Sequence, residues 1–230
     1  ARLAVGDRKV YYGLHVKRMG DTHINRDEAE NSWQRLVRWQ ARVSATHIFT
    51  VDATKQKVSD ADDKQRLVGA RACVGHDGSV RGGVISEAEG DDNYLGELAA
   101  QLDAFEELEP DDRVVIVFDA TSPIKSLRSF QRIGARARQS KHAARWIDAL
   151  NRLSRRVKVA VFLWQPSHCG DPVNECADLA ADQAAASLEV SPVPGSSVSS
   201  YASMTFDHAA PTDEEKGTPT YFDGSLRKRM

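Results

Sequence analysis

Residues 164–182 read WQPSHCGDPVNECADLAAD and concentrate histidine, cysteine and acidic side chains in one short stretch. Asp171 followed by proline predicts that a helix begins here, because Asp is a favoured N-cap and proline is tolerated at the first helical position. Within that helix Asn174 and Asp178 are four residues apart and share a face. His168 lies in the loop that precedes the helix. The stretch therefore predicts a loop and a helix face that carry polar chemistry.

A zinc site is one alternative for this stretch, since it holds a histidine and two cysteines. Cys176, however, falls inside the predicted helix, and the spacing fits neither the C-x₂₋₄-C nor the H-x₃₋₅-H pattern of zinc sites. The cysteines are therefore interpreted as small packing residues. The chain has three cysteines in all, which is too few and odd in number for a secreted disulfide scaffold. This count predicts a reducing intracellular compartment.

Two further acids each close an apolar, strand-like run. Asp52 ends HIFTVD, and Asp119 ends VVIVFD. If these strands are parallel neighbours, about 4.8 Å apart, the two carboxylates meet at their carboxyl ends, where open α/β sheets bind ligands. Two such carboxylates repel each other, and a hard divalent cation relieves the repulsion. The alternative is that both acids are N-caps of the helices that follow them.

The remaining segments predict a mixed α/β sheet. Strand-like runs flank a hairpin signal at Asp77 and Gly78, residues 94–108 show helical periodicity, and residues 157–166 form another strand. The order β-β-β-α-β-α-β-α corresponds to three antiparallel strands followed by two strands joined by right-handed crossovers. Glu97 lies in an early turn of the first helix of this pattern, where on its own it is typical of a solvated helical glutamate.

The chain of 230 residues divides into three predicted parts. Residues 1–45 are highly charged and contain one helical pattern, Asp27–Val43, which predicts an N-terminal arm or the end of a preceding domain. Residues 46–188 form the compact domain, and the polar residues 189–230 form a flexible C-terminal tail. No apolar run approaches the roughly 20 residues that span a bilayer, so no membrane association is expected.

The net charge of −2 conceals a strong asymmetry. The segment Lys125–Lys158 holds eleven Lys or Arg residues and one acid, Asp148, whereas Gly82–Asp112 holds eleven acids and no Lys or Arg. A basic segment in an acidic chain favours a surface that binds a polyanion, although a solvated helix face that binds nothing is the alternative.

Residues 46–188 resemble type 1 ribonuclease H. The resemblance rests on four ordered pieces, FTVDAT, NYLGELAAQLDAF, VVIVFDATSPIKSL and WQPSHCGDPVNECADLAADQAA. The last piece is the most specific, since the family pattern is W-x-x-x-H-x-G-x-x-x-N-E-x-A-D-x-L-A and only its leucine differs, being Ala180 here. The short motifs PSHCG and NECAD are most similar to those in the ribonuclease H domains of non-LTR retrotransposon reverse transcriptase polyproteins.

The resemblance implies a ribonuclease H-like fold, with a five-stranded mixed sheet and helices on both faces. It implies an endonuclease that cuts the RNA strand of an RNA–DNA hybrid by a two-metal mechanism, with Mg²⁺ as cofactor and Mn²⁺ as a substitute. Asp52, Glu97, Asp119 and Asp178 would hold the two ions. His168 would be the fifth catalytic residue, protonating the leaving group or assisting product release.

The resemblance also suggests substrate contacts by Asn174, Thr54, Lys125 and Arg128. Two features depart from the family: Ala53 replaces the usual glycine after the first aspartate, and the following loop lacks a glycine-rich sequence. The main alternative is a catalytically degenerate domain that binds nucleic acid or protein. A free-standing cellular ribonuclease H is a second alternative to a domain joined to a reverse transcriptase. The transposase/integrase group is disfavoured, because its glutamate comes late in the chain.

Overall fold

The computed structural model describes residues 26–59, 65–85, 93–120, 123, 141–168, 171–187, 193 and 220–223. In chain order the elements are α1 (Arg26–Val43), β1 (His47–Ser59), β2 (Gln65–Gly75), β3 (Val80–Val84), α2 (Asn93–Asp103), β4 (Arg113–Phe118), α3 (Lys141–Arg156), β5 (Val159–Trp164), α4 (Pro172–Ser187) and β6 (Thr220–Asp223).

The strands form one sheet in the order β3-β2-β1-β4-β5-β6. The pairs β1–β2 and β2–β3 are antiparallel, whereas β1–β4 and β4–β5 are parallel. The first five strands confirm the predicted mixed sheet of a ribonuclease H-like α/β fold. The sixth strand, β6, pairs antiparallel with β5 and was not predicted from the sequence.

Strand β1 is longer than the predicted strand, which ended at Ala53. It continues to Ser59, and its residues from Thr54 onward pair with Gln65–Ala70 of β2. This outer half alternates between partly buried and exposed side chains and is mostly polar, so it has the composition of a loop. The ladder of backbone hydrogen bonds from β2 makes it a strand, and a long hairpin replaces the predicted charged loop.

Helices cover both faces of the sheet, as predicted. On one face, α2 and α3 pack over a cluster that includes Phe49, Val51 and Phe162. The other face presents the residues of opposite parity, such as Ile48 and Val115, because successive strand side chains point to opposite sides. Helices α1 and α4 lie on this second face.

The helix predicted in the N-terminal segment is present and packs against the sheet. Leu36 and Val43 of α1 are buried in one cluster with Ile48, Val117 and Leu163. Burying a leucine-sized side chain contributes about 1.5–3 kcal/mol, so this contact ties α1 to the strands that follow it. The rest of the predicted arm, residues 1–25, lies outside the described residues.

Within the described ranges, no helix combines the length and the apolar character that crossing a bilayer requires. Most of the predicted tail, including residues 194–219 and 224–230, lies outside the described residues. Strand β6 is the part of that segment that the structure places on the sheet.

Candidate active site

The register of β1 and β4 brings Asp52 and Asp119 together. The parallel pairing runs to Thr50 opposite Val117. Two residues further along each strand, the same register sets Asp52 opposite Asp119. The two acids therefore meet at the carboxyl ends of adjacent parallel segments, as their positions in the sequence predicted.

Glu97 reaches this point because α2 lies unusually close to β1. A Cβ atom added at Gly96 would lie 2.7 Å from the Cβ of Ala53, so a side chain at residue 96 would push the helix away. The methyl group of Ala53, which departs from the family glycine, faces the position where Gly96 has no side chain. The close approach sets Glu97 beside Asp52.

Asp52, Glu97 and Asp119 form one cluster, in which the candidate ligand oxygens all lie within 4.8 Å of one another. Asp52 and Glu97 are buried and Asp119 is partly buried. Asp52 Oδ1 accepts a hydrogen bond from the backbone N–H of Ala53 at 2.7 Å. The Asp52 and Glu97 carboxyl groups are also hydrogen-bonded to each other, which requires that they share a proton.

Burial and mutual repulsion disfavour the charged forms of these acids. The pKa of Asp52 is raised to about 8, first by burial and then by the charges of Asp119 and Asp178. The pKa of Glu97 is raised well above its ordinary value by burial and by Asp52 and Asp119. Burial raises the pKa of Asp119 as well, although Asn174 and His168 oppose the shift. Without a cation, the cluster therefore retains a proton at neutral pH.

These residues fit a hard divalent cation. The set consists of carboxylates, which are the ligands that Mg²⁺ prefers. Glu97 Oε2 is buried and accepts no hydrogen bond from any described residue, so one candidate ligand oxygen in the cluster has no partner for its lone pairs. A cation in place of the shared proton would coordinate this oxygen and remove the repulsion that raises the pKa values.

Helix α4 supplies the polar side chains predicted from the opening stretch. Asp171 is buried and caps the helix, as predicted, with Oδ1 accepting from the N–H of Val173 at 3.1 Å. Asn174 Nδ2 donates to Asp119 Oδ2 at 3.3 Å. Asp178 is close enough that its charge raises the pKa of both Asp52 and Asp119. The cap thus begins a helix that carries two of the predicted site residues to the cluster.

A second group adjoins the first and includes a residue that sequence reasoning did not single out. His168, Glu175 and Asp178 place their candidate ligand atoms within 4.8 Å of one another. His168 is exposed and has a backbone φ of 51°, in the left-handed region. Glu175 is buried. The available signal was the spacing of Glu175 and Asp178, which are three residues apart and share a helix face.

The other predicted site residues have different outcomes. Thr54 is partly buried and lies two residues beyond Asp52, on the same face of β1. Lys125 and Arg128 lie outside the described residues. Cys73 and Cys176 form no disulfide within the described residues, and neither is in either group of candidate ligands.

Two hydrogen bonds, from Trp164 and Gln165, hold the main chain at the end of β4. Trp164 Nε1 donates to the carbonyl oxygen of Asp119 at 2.6 Å. The N–H of Gln165 donates to the carbonyl oxygen of Phe118 at 2.9 Å, which extends the β4–β5 pairing beyond its last register pair. The main chain that carries Asp119 is thus held on both sides of its α-carbon.

A solved structure of ribonuclease H1 from the halophilic archaeon Halobacterium salinarum is similar to this chain. The two share 15% sequence identity with a TM-score of 0.40, over 60% of this chain and 98% of that chain. Neither a protein-family model nor a curated protein matches the sequence. The functional assignment therefore rests on the topology and the side-chain geometry of the chain itself.

Proposed function

We propose that this chain is an endonuclease that hydrolyses the RNA strand of RNA–DNA hybrids with two divalent metal ions. The observation that carries the proposal is the cluster of Asp52, Glu97 and Asp119 within 4.8 Å, most of it buried, next to the charge of Asp178. Such a cluster destabilises the fold, because buried carboxylates of like charge repel one another. Packing or helix capping alone would therefore not require it.

Asp52, Glu97, Asp119 and Asp178 would hold two Mg²⁺ ions, for which Mn²⁺ is a substitute. When bound, the ions activate the attacking water and stabilise the charge on the phosphorus centre and the departing 3′ oxygen. The carboxylates would neutralise the ions and hold them beside the inner half of β1 and the end of β4. Asn174, by donating to Asp119, keeps that carboxylate oriented toward the cluster.

His168 is proposed to supply the proton that the reaction needs. Hydrolysis forms a bond between a water oxygen and phosphorus and breaks the bond between phosphorus and the 3′ oxygen. The 3′ oxygen takes a proton from His168, and the proton lost by the attacking water replaces it, leaving a 3′-hydroxyl and a 5′-phosphate. An exposed imidazole beside the acid cluster is suited to this transfer, because an imidazole can both donate and accept a proton.

Substrate recognition is proposed to involve Asn174, Thr54, Lys125 and Arg128. Hydrogen bonds to 2′-hydroxyl groups distinguish RNA from DNA in the wide minor groove of an RNA helix. Basic residues of the Lys125–Lys158 segment would contact phosphates, so binding should weaken steeply as salt rises.

We further propose that the domain is part of a retroelement reverse transcriptase polyprotein. The support is the similarity of the PSHCG and NECAD motifs, which contain His168 and Asp178, to those of retrotransposon ribonuclease H domains. A polymerase domain encoded directly upstream in the same gene would bear this out, whereas an isolated reading frame would favour a free-standing enzyme.

One assay tests the proposed activity. Purified protein with Mg²⁺ is incubated with an RNA–DNA hybrid, a double-stranded RNA and a double-stranded DNA of the same sequence. We expect cleavage of RNA in the hybrid alone, loss of cleavage in EDTA, and at least a roughly 1000-fold slower reaction for Asp119→Asn. Hybrid binding without cleavage by the wild type in Mg²⁺ or Mn²⁺ would instead identify a degenerate binding domain.

A further inference from the structure

We propose that Gln165 is a positioning residue that anchors the His168 loop to helix α1. The inference rests on the proposed function, since it assigns a purpose to contacts around the proposed proton donor. It also gives a role in the active site to α1, which lies in the segment predicted to be an N-terminal arm or the end of a preceding domain.

Gln165 lies where the chain leaves the sheet and enters the loop. It follows the last residue of β5 and precedes His168 by three residues. Its N–H donates to the carbonyl oxygen of Phe118 at 2.9 Å, so its main chain is fixed to the end of β4. Gln165 is therefore the point at which the loop that follows is joined to the sheet.

The side chain of Gln165 makes the connection to α1. Its Nε2 donates to the main-chain oxygen of Ser32 at 3.1 Å, and both residues are 0% exposed. Helix α1 is itself held on the sheet by Leu36, which packs in one cluster with Val117 and Leu163. The acceptor is thus fixed to the same strands that carry the site.

Packing alone does not explain a glutamine at this position. Its Oε1 is buried and has no hydrogen-bond partner among the described residues, which costs stability. A methionine has a similar shape and would avoid that cost. What the glutamine adds is the hydrogen bond to α1, and with it a fixed starting point for the loop.

The far end of the loop is fixed in a comparable way. Asp171 is 0% exposed and caps α4. Between these two anchors, His168 has a φ of 51°, a conformation that a residue with a side chain adopts at a cost and keeps where its surroundings enforce it. Loosening the Gln165 anchor is expected to release His168 from this conformation.

The test compares Gln165→Met with the wild-type full chain in hybrid cleavage. We expect kcat to fall about tenfold with KM unchanged, while the melting temperature stays the same or rises. Ser32→Ala is the matched control, because it keeps the main-chain acceptor and should keep full activity. A Gln165→Met variant that is fully active, or that loses activity only in proportion to lost stability, would overturn the inference.

A double-mutant cycle with His168→Ala identifies the residue through which Gln165 acts. In the His168→Ala background, Gln165→Met should cause no further loss of kcat. An undiminished tenfold loss would contradict the proposal. Backbone ¹⁵N relaxation provides a readout that needs no activity: Gln165→Met should increase the mobility of the Ser167 and His168 amides. If the wild type cleaves no hybrid, the proposed function fails. The ¹⁵N relaxation measurement then decides by itself whether Gln165 anchors the loop.

Discussion

Gly96 and Ala53 set the separation of the two acids next to them. A Cβ atom added at Gly96 would lie 2.7 Å from the Cβ of Ala53. Asp52 directly precedes Ala53 on β1, and Glu97 directly follows Gly96 on α2. The contact between a glycine and an alanine thus determines how closely a strand carboxylate and a helix carboxylate can approach.

Gly96→Ala is expected to weaken both the fold and the metal site. The added methyl group overpacks the contact, which costs about 1–3 kcal/mol in the free energy of unfolding, and moves Glu97 away from Asp52. Urea unfolding and calorimetric titration with Mn²⁺ would measure the two effects. Adding Ala53→Gly to the same chain should restore both, because it removes the opposing methyl group. A neutral Gly96→Ala variant would contradict this interpretation.

A buried ion pair holds the other end of α2. Arg71 Nε donates to Asp103 Oδ2 at 2.8 Å and Arg71 Nη2 donates to Asp103 Oδ1 at 3.3 Å. Arg71→Met leaves the Asp103 carboxylate buried without its partner and should lower the free energy of unfolding by about 3–5 kcal/mol. Urea denaturation measures the loss.

The double variant Arg71→Met with Asp103→Leu is the matched control for this pair. Replacing both charges with apolar side chains of similar volume is expected to recover most of the lost stability, since no uncompensated charge remains. A double variant as unstable as Arg71→Met alone would show that the helix depends on something other than the ion pair.

The metal-free protein should lose stability as the pH rises toward about 8. The folded-state pKa of Asp52 is raised from 3.8 to about 8, and those of Glu97 and Asp119 are raised as well. Between pH 3.8 and about pH 8, the folded chain holds a proton on Asp52 that the unfolded chain has released. The free energy of unfolding in EDTA should therefore decrease as the pH rises across this window.

Asp103 contributes in the same direction in the lower part of the window, because its pKa is raised to about 6. Urea unfolding in EDTA between about pH 5 and about pH 8.5 measures the slope, and Asp52→Asn should flatten it above about pH 6. Mg²⁺ binding near neutral pH should release protons for the same reason. Stability that rises with pH in EDTA would contradict the shared-proton description.

Strand β6 should protect the edge of β5. Ending the chain at residue 219 removes Thr220–Asp223, which pair with Val159–Phe162. We expect a loss of about 1–3 kcal/mol in the free energy of unfolding and faster hydrogen exchange at the β5 amides. A chain that ends at Asp223 is the control and should behave as the full chain does. Equal protection in both truncations would show that β6 adds nothing to the sheet.

The sequence predicted the parts of the fold that are encoded in apolar patterns. The apolar strand segments that lead to Asp52 and Asp119, the helix around Glu97 and the capped helix after Asp171 all have such patterns. The outer half of β1 does not, since its polar side chains alternate without an apolar core, and only its pairing with β2 makes it a strand. Strand β6 depends on a partner far away in the chain.

The site was predictable where a residue's role follows from its position at a strand end or on a helix face. The closeness of Gly96 to Ala53 was not predictable, because it depends on how α2 docks on β1. The bond from Gln165 to Ser32 joins residues 133 positions apart, and no local pattern signals it. Glu175 lies beside the predicted Asn174, yet its burial against His168 and Asp178 required the three-dimensional structure.

Anomalous diffraction from crystals soaked in Mn²⁺ would show whether the acid cluster is the proposed two-metal centre. We predict two manganese peaks about 4 Å apart among Asp52, Glu97, Asp119 and Asp178, and the loss of at least one peak in Asp119→Asn. Crystals of the wild-type protein with no anomalous peak at these carboxylates, at Mn²⁺ concentrations that fill other sites, would rule out the proposed metal centre.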